Sequence, residues 1–122
     1  MKPRVLVVDD SGLSRRRLRQ ILEPAGYDVL EAEDGLTALE RYFLEKPDVV
    51  LLDLVMKGLY GLEVLTKLRE LDGSARVIVV SADIQTSSQE MADAAGACGF
   101  VSKPFDRSDI LQALNRVLSG AA

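Results

Sequence analysis

Val49-Val50-Leu51-Leu52-Asp53 is an unbroken apolar run that ends on a carboxylate, and the chain uses the same device twice more. Val5-Leu6-Val7-Val8 ends on Asp9-Asp10, and Val77-Ile78-Val79-Val80 ends on Ser81. A strand with one face in water alternates apolar and polar residues. These runs do not alternate, so they predict strands covered on both faces, as in a parallel sheet. Two weaker strands, Tyr27 to Glu31 and Gly99 to Ser102, complete the set.

Helical patterns fill the gaps. Ser11 to Glu23 carries Leu18, Ile21 and Leu22 on one face and stops at Pro24-Ala25-Gly26. Asp34 is placed to cap a helix bearing Leu36, Leu39 and Phe43, which must end before Lys46-Pro47. Gly61 to Leu71, Thr86 to Ala95 and a helix capped by Asp106 and running to Leu118 follow. Strict βα alternation, repeated five times over residues 1–122, predicts one doubly wound α/β sandwich.

Composition narrows the chemistry. The 122 residues contain no histidine, which excludes a His general base, a Ser-His-Asp triad, a His-bearing zinc site and a phosphohistidine carrier. The one cysteine, Cys98, cannot form an internal disulfide or a thiolate cluster and reads as a small packed residue. A net charge of -4 argues against direct nucleic-acid binding. The apolar runs are too short for membrane insertion or a signal peptide, so the cytoplasm is the expected compartment.

In an open α/β sheet, ligands collect at the carboxyl ends of the strands. Here those ends are Asp9 and Asp10, Asp53, Ser81 and Lys103. Three carboxylates about 5 Å apart repel by roughly 3 kcal/mol per pair at an effective dielectric of 20. Lys103 alone does not offset that, whereas a hard divalent cation does. Mg²⁺ takes one or two carboxylates, a carbonyl and several waters, leaving room for a phosphate oxygen. Neither a Walker loop nor a G-x-G-x-x-G is present, so the phosphate is expected from a partner, with Asp53 the candidate nucleophile.

At these residues the chain resembles the receiver domains of two-component response regulators, especially stand-alone chemotaxis-type receivers. The resemblance runs from about Lys2 to Leu118 and rests on four ordered motifs. They are Val5 to Ser11, Val49 to Met56 with Gly61 following, Val77 to Ala82, and Phe100 to Phe105 with Lys103-Pro104. It implies a flavodoxin-like (βα)5 fold with strand order 2-1-3-4-5. It also implies that Asp53 is the phosphoacceptor and that Asp10, Asp53 and the Val55 carbonyl ligate Mg²⁺, with Asp9 acting through water and charge. Lys103 would pair with Asp53 and then with a phosphoryl oxygen, and Pro104 would follow a cis peptide bond. Ser81 and Phe100 would be the switch pair, and Val55 and Asp83 would tune the lifetime of the acyl phosphate.

The partners implied are a sensor histidine kinase or phosphotransfer domain and a downstream protein. The latter would dock on the face made by Thr86 to Ala95, Gly99 to Ser102 and Asp106 to Leu118, which also suits a homodimer. Arg15-Arg16-Arg17-Leu18-Arg19 is either a docking patch for an acidic kinase face or a solvated face paired with glutamates. The chain departs from the family pattern at Lys57-Gly58, where a Pro is usual at the first position. That departure keeps a second reading open, a receiver-like interaction module that works without phosphorylation. A haloacid-dehalogenase-like phosphatase would need a second Asp where this chain has Val55.

Overall fold

The computed structural model describes residues 2–55, 61–82 and 86–120. Ten elements alternate along them: β1 (Arg4–Val8), α1 (Gly12–Leu22), β2 (Asp28–Ala32), α2 (Gly35–Glu45), β3 (Val49–Leu52), α3 (Gly61–Leu71), β4 (Val77–Ser81), α4 (Thr86–Ala94), β5 (Gly99–Ser102) and α5 (Arg107–Leu118). All strand pairs are parallel, and the sheet order is β2-β1-β3-β4-β5.

The lack of alternation in the apolar runs has a direct structural counterpart. Val5, Val7, Val49, Leu51, Ile78 and Val80 point to the side covered by α1 and α5, where they meet Leu18, Leu22, Ile110 and Leu114. Their sequence neighbours Leu6, Val8, Val50, Leu52, Val77 and Val79 pack on the other side, with Ala38, Val64, Leu65 and Leu68 from α2 and α3. Every residue of these runs is therefore a core residue, and a polar substitution on either face would leave an unsatisfied group in the interior.

Local chemistry fixes where the helices begin. The Ser11 hydroxyl accepts from the Ser14 N–H at 3.2 Å, and the Asp34 carboxylate accepts from the Thr37 N–H at 2.8 Å. At α5, Asp106 and Asp109 cap each other's backbone N–H at 2.9 and 3.1 Å.

Two expectations need correction. The second strand begins at Asp28, one residue after the expected Tyr27. With Gly26 in the left-handed region at φ 97°, the Tyr27 N–H turns back to the Leu22 carbonyl and is still part of the helix exit. Cys98 is exposed, not packed. Its N–H donates to Val77 at 2.7 Å as the chain enters β5, which holds the backbone while the thiol faces solvent.

The hydrogen bond from Thr37 holds the Asp34 carboxyl below the ordinary aspartate value of 3.8. A depressed carboxyl contributes stability above its unfolded pKa and loses it as pH falls through the folded value. Asp34→Ala is expected to cost about 1 kcal/mol at pH 7 in urea unfolding. The gap from the wild type should narrow below pH 3.8.

Candidate functional site

Backbone hydrogen bonds carry the sheet one residue past its strands and fix the tips against one another. The Asp9 N–H donates to Ala32, the Asp53 N–H to Val8, and the Lys103 N–H to Ser81, at 3.1, 3.0 and 2.9 Å. Parallel register therefore brings Asp9, Asp53 and Lys103 to one edge, although they are far apart in sequence.

Asp9 and Asp53 are buried, 2% and 7% exposed, and each carboxylate is held at both oxygens. In Asp9 one oxygen accepts from the Ser11 N–H at 2.9 Å and the other from Lys103 Nζ at 2.7 Å. In Asp53 one accepts from the Val55 N–H at 3.1 Å and the other from Lys103 Nζ at 3.1 Å. Burial disfavours the Lys103 charge, but the hydrogen bond to Asp9 and the charge of Asp53 outweigh it, raising its pKa above the ordinary lysine value. On the lysine side, the stabilisation is thus fully present below pH 10.5 and is lost as pH rises through the higher folded value.

Asp10 adds a third, exposed carboxylate, and one oxygen from each of the three lies within 4.8 Å of the others. Counted formally, three carboxylates against one ammonium leave a charge of -2. Opposite oxygens on an octahedral Mg²⁺ stand about 4.2 Å apart, twice the metal–oxygen distance. With oxygens within 4.8 Å of one another and a formal charge of -2, the cluster is compact and acidic enough to suit a hard divalent cation. The residues present therefore fit the group.

Gly61 ties this edge to the next helix. Its N–H donates to the Leu54 carbonyl at 3.0 Å, and a Cβ there would lie 2.3 Å from the Asp53 carbonyl oxygen and 2.5 Å from Leu54 Cα. Only glycine permits α3 to start directly on the backbone that presents Asp53.

Ser81 ends β4 fully buried, one strand from Asp53. Phe100 is half-buried on β5, where it pairs with Val79 and packs against the α2–α4 side of the core. The Lys103–Pro104 peptide is cis. Val55 is exposed beside Asp53. Lys57, Gly58 and Asp83 lie outside the described residues.

Two residues of the basic run pair with glutamates, one of the two readings the sequence left open. One of them also reaches the site through the Asp9 carbonyl, which the sequence did not indicate. Arg15 donates to the Asp9 carbonyl at 2.7 Å and to Glu31 at 3.0 Å. Arg19 takes the other Glu31 oxygen at 2.8 Å and also pairs with Glu23. The available signal was Glu31, a charge inside the otherwise apolar stretch Val29 to Ala32, one strand from the acidic tip.

The family model of the response regulator receiver domain matches residues 5–115. The chain belongs to this family. A receiver domain on this fold also answers the phosphatase alternative. The chain is 40% identical over 118 residues to the chemotaxis protein CheY of Thermotoga maritima, covering 96% of this chain and 98% of that one. It is 33% identical over 118 residues to the sporulation initiation phosphotransferase F of Bacillus subtilis, at 97% and 95% coverage. Among solved structures, a chain of the CheX-CheY-BeF3-Mg²⁺ complex from Borrelia burgdorferi is 34% identical with a TM-score of 0.92. That alignment covers 95% of this chain and 89% of that one. Receiver domains bind Mg²⁺ at their acidic pocket.

Mg²⁺ at ten times its dissociation constant should stabilise the wild type by about 1.4 kcal/mol in urea unfolding. Asp10→Asn should lose most of that gain.

Proposed function

We propose that this receiver domain is a phosphorylation-dependent switch, with Asp53 accepting a phosphoryl group from the phosphohistidine of a sensor kinase or phosphotransfer domain. The observation that carries the reading is the pairing of Asp53 with Lys103 inside a cluster of three carboxylates of metal size. In the proposed site Asp10, Asp53 and the Val55 carbonyl would hold Mg²⁺, and Asp9 would act through water and charge. When bound, the ion neutralises charge on the acceptor carboxylate and on the phosphoryl oxygens.

An Asp53 carboxylate oxygen attacks phosphorus as the bond from phosphorus to the histidine nitrogen breaks, and that nitrogen keeps the electron pair. The Val55 N–H, at 3.1 Å from one carboxylate oxygen, fixes the acceptor's orientation. The Lys103 ammonium, at 3.1 Å from the other, passes to a phosphoryl oxygen as that charge arrives. Burial of Asp53 keeps bulk water from competing for the attacking oxygen.

A phosphoryl group adds a charge of roughly -1.5 to -2, which supplies the differential interaction a two-state shift requires. The Ser81 hydroxyl turns to a phosphoryl oxygen, and Phe100 follows into the space it leaves. Phe100 borders a groove of about 350 Å³ between β5 and α5, with Ser102, Pro104, Gln112 and Arg116 among its walls. Repositioning this ring changes the face offered to a downstream protein. The ring carries no hydroxyl, so that face reports burial alone.

The domain is a regulatory module that catalyses only its own phosphoryl gain and loss. Among the described residues no helix is long and apolar enough to cross a membrane. We place its action in the cytoplasm, where kinase domains and their phosphodonors reside.

Incubation with acetyl phosphate and Mg²⁺ should add one phosphoryl group that survives acid and is released by hydroxylamine, read by intact mass. Asp53→Asn should take up none. Equal labelling of that variant, or labelling resistant to hydroxylamine, would assign the acceptor elsewhere.

A further inference from the structure

We propose that Arg15, aimed by Glu31, is a positioning residue of the Mg²⁺ site. This role rests on the proposed metal site and extends it to residues that do not themselves face the ion. Arg15 sits in the first turn of α1, where the helix dipole disfavours a cation, so its placement calls for a compensating contact. Two are present. Nη1 donates to the Asp9 carbonyl at 2.7 Å and Nε donates to Glu31 Oε1 at 3.0 Å, while the side chain is only 18% exposed. Glu31 is fixed in turn by Arg19, 2.8 Å from its second oxygen. Burial works against the Glu31 charge, but the bonds from Arg19 and Arg15 prevail and keep its carboxyl ionised below the usual range.

The Asp9 carbonyl belongs to the planar unit that ends at the Cα of Asp10. Its neighbours are already tied, since the Asp9 N–H is bonded to Ala32 and the carboxylate to Ser11 and Lys103. Anchoring the carbonyl restrains that peptide and with it the direction in which Asp10 leaves the strand tip. Farther along the same helix, Arg17 lies 5.4 Å from the Phe105 ring centroid and donates to its carbonyl at 3.4 Å, just after Lys103-Pro104. The basic run thus braces both loops that border the acidic edge.

Charge and position predict opposite signs, which makes the proposal testable. Removing a cation beside three carboxylates should tighten Mg²⁺ binding if Arg15 acts only through its field. Loss of the anchor should weaken it. Calorimetric titration with Mg²⁺ would compare the wild type, Arg15→Gln, Arg15→Lys and the charge-matched control Arg16→Gln, each checked for folding by circular dichroism. Arg15→Gln should raise the dissociation constant about three- to tenfold, less than the tenfold or greater loss typical of direct partners of metal ligands. Arg16→Gln should stay within about twofold of the wild type, since an exposed charge is largely screened. Arg15→Lys, which keeps one donor, should fall between. Binding by Arg15→Gln equal to or tighter than that of Arg16→Gln would overturn the positioning role. If Arg15→Gln does not fold, Arg15→Lys decides, and wild-type affinity there is the overturning result. A wild type that ignores millimolar Mg²⁺ would remove the metal site itself, and this role with it.

Discussion

One ammonium group joins the tips of three strands. Lys103 follows β5, and its Nζ bonds both Asp53 at the end of β3 and Asp9 at the end of β1. That reach exists only because the sheet is parallel and ordered so that β1, β3, β4 and β5 lie side by side. An antiparallel arrangement would send alternate tips to opposite edges. The continuous apolar runs that require cover on both faces are thus the same feature that gathers the polar ends.

The gathered charges are not at a stability optimum. Like charges within 4.8 Å of one another, with two buried and one cation between them, form a cluster held together by its surroundings. Backbone N–H groups of Ser11 and Val55, the Lys103 bridge and the bare Cα of Gly61 all fix it in place. Local conflicts of this kind mark functional sites, where stability is given up for an arrangement that a ligand completes. For the proposed switch, the ligand is a metal ion followed by a phosphoryl group, and the residual negative charge is what makes the first welcome and the second dependent on it.

Much of this was legible in sequence because it is periodic or local. Unalternating runs marked the buried parallel strands, Asp34 and Asp106 marked two helix starts, and the residue after each run pointed to Asp9, Asp53, Ser81 and, with weaker support, Lys103. The strand order came from family resemblance, because periodicity cannot rank five parallel strands. What sequence did not show depends on side-chain reach. The basic run of α1 was left between docking patch and solvated face, and the structure divides it. Arg15 and Arg19 close on Glu31, Arg17 lies on Phe105, and Arg16 is exposed. Cys98 was read from its typical burial, but its place at a strand entry turned it outward. Lys57-Gly58, the departure from the family pattern, lies outside the described residues.

If carboxylates from separate strand tips share one ion, two amides report it directly, because the Ser11 N–H is bonded to Asp9 and the Val55 N–H to Asp53. Titrating the ¹⁵N-labelled protein with Mg²⁺ and following amide shifts is the decisive measurement. A shared ion predicts that both amides move together along one millimolar-range binding curve, with the rest of the sheet edge following and the opposite edge still. Independent curves for the two amides, or no movement of either, would contradict a shared site.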